Sequence, residues 1–264
     1  MATPGHSKAA RIYFDGYRVT QTVNSGDLTL TADGVEVSPI EGDDKDFLQG
    51  KTNLASNING FLDITDNGWD EIEFAAINDG GHNITILPVG NTAGSCGYVT
   101  RQISTGDSRA FDQANAVLLN WSGQNEDATD FGRSEAAVIT SGEWTATEAG
   151  SDAGDEVGAA TTDDTTIINV HCTAFTGFTD VDVQIEESSD DGGADAYAQV
   201  TGWTITAEGN CTAGTDEAVF TGIGSAQFKV SKAVEAYLRV TISDVTGAGS
   251  ITLLAGHALA AGDI

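Results

Sequence analysis

The chain has 264 residues, of which 40% are apolar and three are proline, so it can form one large β domain or two of ordinary size. Forty acidic residues face eleven basic ones, a net charge of −29. No Lys or Arg occurs between Ser134 and Phe228, where eighteen acids lie. Binding to nucleic-acid phosphates requires a basic surface, and an anionic membrane repels an acidic chain, so both classes are excluded.

The first predicted elements are strands. Leu28 and Leu30 alternate with polar residues, and the dipeptide Asp33-Gly34 before Val35 and Val37 predicts a hairpin turn. The stretch of mixed acids and lysines that follows, about Val37 to Lys51, is predicted to be a long loop.

Helix is scarce in this sequence. The best candidate runs from Trp69 to Asn78, with acids in its first turn and Gly80 to end it. Its apolar residues Ile72, Phe74 and Ala76 are expected to face a sheet. A second, weaker helix is expected around Phe111 to Asn115.

The middle of the chain, from Gly123 to Asp164, is rich in acids and glycine and predicts loops or a linker. We therefore predict a domain boundary near Asp127. The predicted domains are residues 1–127, a β-sandwich with one flanking helix, and residues 128–264, a second β-sandwich-like domain. The predicted class is all-β.

Alternation with a period of two is clearest after this boundary, and it predicts strands with one buried and one solvated face. The residues expected to face inward fall into three strands: Val181, Val183 and Ile185; Ala226, Phe228 and Val230; and Leu238, Val240 and Ile242.

The sequence contains no strong catalytic or metal-binding motif. His171 adjoins Cys172, but neighbours on a strand point to opposite faces and cannot hold one ion, so a solvated strand histidine is expected. Asp190, Asp191 and Asp195 are expected in a hairpin loop, with a calcium site as the alternative. The three cysteines are predicted to be buried thiols; one disulfide plus a free thiol is the alternative. We predict no enzyme activity and no catalytic residue, cofactor or metal.

Two stretches of the chain resemble tail tube proteins of long-tailed bacteriophages and archaeal tailed viruses. The first consists of ARIYFDGYRV at Ala10–Val19, EVSPIEGDDKDFLQG at Glu36–Gly50 and NINGFLDITDNGWDEIEF at Asn57–Phe74. The second is TTIINVHCTAFTGFTDVDVQIEESSDDGG at Thr165–Gly193, followed by EAYLRVTIS and ITLLAGHALA. Each motif is short; their order along most of the chain carries the resemblance.

The resemblance implies a virion subunit, made in the host cytoplasm, that forms rings, usually hexameric, stacked into a hollow tube. Its partners are then other copies of itself, other tail proteins at the tube ends, and double-stranded DNA that passes through an acidic lumen without specific binding. The long loop would connect stacked rings. The second domain would be an outer decoration or a duplicated tube-like domain.

Three other functions remain open: a cell-surface adhesin, a carbohydrate-binding β-sandwich module, or another virion protein such as a head decoration or tail tip. The N-terminus lacks the apolar core of a signal peptide, which disfavours the first two. The acids are spread along the whole chain, eighteen before the predicted boundary and twenty-two after it. This spread suggests a virus of an extreme halophile, because molar salt screens such repulsion.

Overall fold

The computed structural model confirms an all-β fold with a single α-helix among the residues that it describes. These residues are 9–21, 23–36, 47–61, 63, 69–77, 80–92, 95–110, 117–127, 129–134, 137–145, 150–151 and 154–260. The predicted long loop is shorter than expected, because Phe47–Gly50 already belongs to a strand; 37–46 and the second predicted helix at 111–115 lie outside the described residues.

The elements of the N-terminal half, taken here as the residues up to 127, are β1 (Arg11–Phe14), β2 (Tyr17–Arg18), a 3-10 turn (Val19–Gln21), β3 (Val23–Glu36), β4 (Phe47–Phe61), α1 (Trp69–Ala76), β5 (Gly81–Leu87), β6 (Gly97–Ala110) and β7 (Leu118–Asn125). Helix α1 is eight residues long, and no helix in the described ranges has the length and apolar character to cross a membrane.

The elements of the C-terminal half, from residue 128 onward, are β8 (Phe131–Ser134), β9 (Val138–Trp144), β10 (Gly150–Ser151), β11 (Asp155–Glu156), β12 (Thr165–Ser188), β13 (Ala198–Gln199), β14 (Thr204–Ala213), β15 (Ala218–Ser231) and β16 (Tyr237–Ala260). The segment expected to be a linker thus contributes β8 to β11, and β9, β10 and β11 pair with β16.

All pairings are antiparallel, and they join the strands into one hydrogen-bonded network in the order β14-β15-β12-β16-β8-β6-β5-β1-β2. Strand β8 connects the halves, since it pairs with β6 on one side and β16 on the other. A second path leaves β6 in the order β6-β7-β4-β3. The division at residue 127 stays a prediction, because the sheet runs across it.

Three layers follow from the register. Phe14 and Ile84 are opposite each other on β1 and β5, and both are buried in one cluster with Trp121 of β7. Their neighbours Tyr13 and Thr85 are also opposite each other, and successive strand residues face opposite sides. The sheet formed by β1 and β5 therefore lies between the β6-β7-β4-β3 sheet on one side and the C-terminal half on the other.

The inward residues of the predicted alternation in the C-terminal half are confirmed. All nine predicted inward residues are buried, and they belong to one cluster that also contains Trp203 and Cys172. Cys172 and Cys211 are buried free thiols and Cys96 is a partly buried one, so the buried-thiol prediction holds for two of the three. The described residues contain no disulfide between these cysteines.

A buried polar junction joins the halves. His171 of β12 is fully buried, which contradicts the predicted solvated histidine. Its Nδ1 accepts the N–H of Gly16 at 3.2 Å, and its Nε2 lies 2.9 Å from the Thr85 hydroxyl. The amide of Asn169 on the same strand donates to the carbonyl oxygens of Ile84 and Thr100. This face of β12 covers the N-terminal half instead of facing water.

Ion pairs surround the junction. Arg101 of β6 binds Glu208 of β14 at 2.7 Å and Glu126 at 2.9 Å. Asp15 lies 2.6 Å from His82 Nδ1 and accepts the N–H of Asn83. The Arg101–Glu208 and His82–Asp15 pairs are shielded from solvent, whereas Glu126 is half exposed. Removing one partner of a shielded pair leaves the other buried and costs more than losing an exposed pair.

One local prediction in the N-terminal half is wrong. Asp33-Gly34 is not a hairpin turn; it lies within β3, where the register with β4 shifts between Ala32 and Gly34. The dipeptide therefore forms an irregularity in a long strand. Leu30 is opposite the buried Leu54 of β4 and so shares the inward side of the sheet, but it is 60% exposed on the edge strand β3.

Candidate assembly surface

The β3-β4-β7-β6 sheet has two open edges. Strand β3 pairs with β4 alone in the described part of the chain, so the backbone groups on its second edge have no strand partner. Beyond Ser104, β6 pairs with β7 alone across the same described ranges, because β5 pairs with β6 only up to Ile103. Open edges of this length readily pair with another chain.

The face of this sheet that points away from the body carries a row of amide and hydroxyl side chains, here called the amide ladder. It consists of Asp27, Asn57, Asn59, Asn120 and Ser122. Residue Ile58 between them is buried in the core, so the ladder residues face outward. Opposite pairs in register share a face, which aligns the ladder across three strands.

Hydrogen bonds hold the amide ladder together. Asn57 donates to Asp27 at 3.0 Å and accepts from the Ser122 hydroxyl at 2.8 Å. Asn120 donates to Asn59 at 2.7 Å. Asp27 is the one charged side chain in the ladder, although the whole chain carries −29. The ladder is therefore far less acidic than the expected lumen.

Helix α1 lies against the opposite, inward face of the same sheet. Trp69 is buried against Phe14, 5.5 Å between ring centroids, and Asp70 accepts a hydrogen bond from Arg109 at 2.9 Å. Phe74, which was expected to face a sheet, is instead 65% exposed. Its ring centroid lies 5.8 Å from the Arg109 guanidinium carbon. Trp69, which is buried in the core, and the exposed Phe74 are thus about one and a half helical turns apart.

Carboxylates crowd one face of the C-terminal sheet. Asp182 of β12 lies directly opposite Asp244 of β16. The pKa of Asp182 is raised, first by partial burial and then by the negative charges of Glu217, Asp180 and Asp244. Like charges directly opposite each other destabilise a sheet.

The loop after β12 agrees with the predicted hairpin loop. The Asp190 carboxylate accepts the N–H groups of Ala194 and Asp195, which lowers the pKa of Asp190. Backbone N–H groups thus occupy its oxygens. Among the residues described, no three His, Cys, Asp or Glu side chains are grouped so that they could hold a metal ion.

No protein-family model matches the sequence, and a comparison with curated proteins finds no match. Several solved structures are similar in fold. A chain from the virion of the native gene transfer agent particle is 13% identical, with a TM-score of 0.40 over 48% of this chain and 98% of that one. The SPP1 tail tube is 11% identical, with a TM-score of 0.40 over 46% and 76%.

A third similar structure is the SPP1 Dit protein of the hub adsorption apparatus of phages that infect Gram-positive bacteria. It is 10% identical, with a TM-score of 0.34 over 94% of this chain and 98% of that one. At such identities the likeness is one of fold.

Proposed function

We propose that the chain is a non-enzymatic structural subunit of a viral tail tube, which polymerises as stacked rings into a hollow conduit for DNA. The observation that carries this proposal is the β3-β4-β7-β6 sheet, which has two open edges and one nearly uncharged face. Pairing of the β3 edge of one copy with the β6 edge of the next is head-to-tail, and head-to-tail contacts form a ring when the rotation between copies closes. A ring of such sheets forms a barrel without exposed edges.

The amide ladder suits the lumen of this barrel. A basic lumen would hold the DNA phosphates, and the ladder contains no Lys or Arg. The C-terminal half lies on the far side of the β1-β5 sheet, so a lumen formed by the ladder puts that half on the outside. Of the two roles expected for residues 128–264, we therefore favour the outer decoration. Other copies of this chain and other tail proteins are the proposed partners, within the virion.

A charge on the open edge should prevent ring closure. Leu30 is 60% exposed on β3, so Leu30→Lys should leave the fold intact while its ammonium group opposes edge pairing. We expect rings and tubes in negative-stain images of the parent protein and single particles for the variant. Thr221→Lys, at an exposed position on β15, is the matched control and should still form tubes.

Tubes of Leu30→Lys as long as those of the parent would show that β3 is not an assembly edge. Single compact particles of the parent protein at all concentrations would instead favour a monomeric binding module, such as an adhesin or a carbohydrate-binding domain.

Assembly should also depend on salt, because subunits of charge −29 repel each other and the pair Asp182–Asp244 adds repulsion within one subunit. The Debye length falls from about 10 Å at 0.1 M salt to about 3 Å at 1 M. We expect light scattering by tubes to rise across a potassium chloride series up to molar concentration, as for a protein from a halophilic virus. Rescue by millimolar calcium in dilute buffer would indicate specific calcium sites instead, and tubes that stay intact in dilute buffer with chelator would contradict both explanations.

A further inference from the structure

An apolar projection lies beside one open edge of the sheet. Phe74 of α1 is 65% exposed and Ile77, just after the helix, is 41% exposed. Phe74 contacts Arg109, which is in the part of β6 that pairs with β7 alone. Since α1 packs on the inward face through Trp69, the projection is on the inward side of the β6 edge.

A mostly apolar cleft of about 500 Å³, with some polar residues in its lining, lies beside the other open edge. Its lining includes β3 from Val23 to Leu28, together with Ile12, Ile58 and Ile86. Ile58 points inward from β4, so the cleft also opens on the inward side of the sheet. Asp27 is the one charged residue in its lining.

Edge pairing would bring these two features together. When the β6 edge of one copy pairs with the β3 edge of the next, the inward faces of both sheets lie on the same side. The Phe74 projection of the first copy then adjoins the cleft of the second. We propose that Phe74 inserts into this cleft of a neighbouring copy and holds the ring together. This inference rests on the proposed tube function.

The strand register favours a second copy as the occupant. One row of paired residues crosses the sheet from β6 to β3: Ser108, Asn120, Asn59 and Ser25. The end of β6 that holds Arg109 therefore lies level with the end of β3 that lines the cleft, so in-register edge pairing brings Phe74 to the height of the cleft. A buried aromatic beside an Arg is typical of the residues that dominate protein interfaces.

Cross-linking tests this contact directly. Two proteins are made in a Cys96→Ser background, one with Phe74→Cys and one with Leu28→Cys, since Cys172 and Cys211 are buried. After mixing, assembly in molar salt and mild oxidation, we expect disulfide-linked dimers only when both proteins are present. Thr221→Cys in place of Phe74→Cys is the control and should give none.

Truncation gives an independent measure. Phe74→Ala should raise the protein concentration needed for assembly by about tenfold or more, the loss typical of an aromatic anchor. Phe61→Ala, at a position that is 44% exposed on the outward face, is the matched control and should change it little. The insertion would be overturned, and the tube kept, by two results together. These are tubes that form without cross-links, and a Phe74→Ala variant that assembles at the same protein concentration as the parent. The absence of both tubes and cross-links would overturn the two proposals together.

Discussion

Gly16→Ala should destabilise this protein by about 2–5 kcal/mol, because the new methyl group meets the backbone of the other half. Gly16 has φ +90°, and a Cβ atom there would lie 2.4 Å from the Gly224 oxygen and 2.7 Å from the Cys172 oxygen. Left-handed backbone costs an alanine about 1–2 kcal/mol, and forcing a methylene into a packed site costs about 1–3 kcal/mol more. The N–H of Gly16 would also move away from His171, its acceptor.

Gly158→Ala is the matched control, because it separates backbone strain from the clash. Gly158 has φ +84°, but a Cβ atom there meets nothing within 4 Å. We expect this variant to lose about 1–2 kcal/mol of unfolding free energy, measured by thermal or urea unfolding alongside Gly16→Ala. Equal losses at the two positions would mean that the Gly16 turn is not packed tightly against the C-terminal half.

The local pattern of the sequence predicts the strands of the C-terminal half well. Alternation with a period of two identifies Val181, Val183 and Ile185 because the inward side of β12 packs into one core. The same pattern does not say what covers the other side. Alternation puts Asn169 and His171 on the face predicted to be solvated. They are buried because β5 and β6 pack onto that face.

The candidate assembly surface could be predicted only in part. Period-two strands and an acidic chain suggest a sheet that closes across subunits, but which edges stay open depends on pairing between distant segments. Asp33-Gly34 reads locally as a turn, and the long pairing of β3 with β4 overrides that preference. The amide ladder carries a usable signal, since Asn57, Asn59, Asn120 and Ser122 alternate with Ile58, Leu119 and Trp121.

Stability should fall as the pH drops from about 6.5 to 4, because two histidines are buried in the neutral form. Burial lowers the pKa of His171 to about 3 and that of His257 to about 4. In the unfolded chain a histidine has a pKa of about 6.5, so below that pH the unfolded state binds more protons than the folded state. Each neutral buried histidine therefore makes its full contribution to the free energy of unfolding above pH 6.5. Below that pH the contribution falls by about 1.4 kcal/mol per pH unit for each histidine.

Carboxylates whose pKa values are raised oppose this trend, so the test must isolate one histidine. The pKa values of Asp182 and Glu208 are raised mainly by burial, and these groups gain protons in the folded state as the pH falls. His171→Asn removes one titration from both states, while its amide oxygen can still accept the N–H of Gly16. The variant should be less stable than the parent at pH 7.5, by about 1–3 kcal/mol, since the bond to Thr85 is lost.

Below pH 6.5 the stability advantage of the parent should then fall, and it should vanish or change sign before about pH 4. We expect the stability difference between parent and His171→Asn, measured by urea unfolding in constant molar salt, to shrink by about 1.4 kcal/mol per pH unit down to about pH 4. The carboxylates are common to both proteins and cancel in this difference. A difference that stays constant from pH 7.5 to 4.5 would show that His171 takes up its proton without disturbing the junction, which its two hydrogen bonds and complete burial argue against.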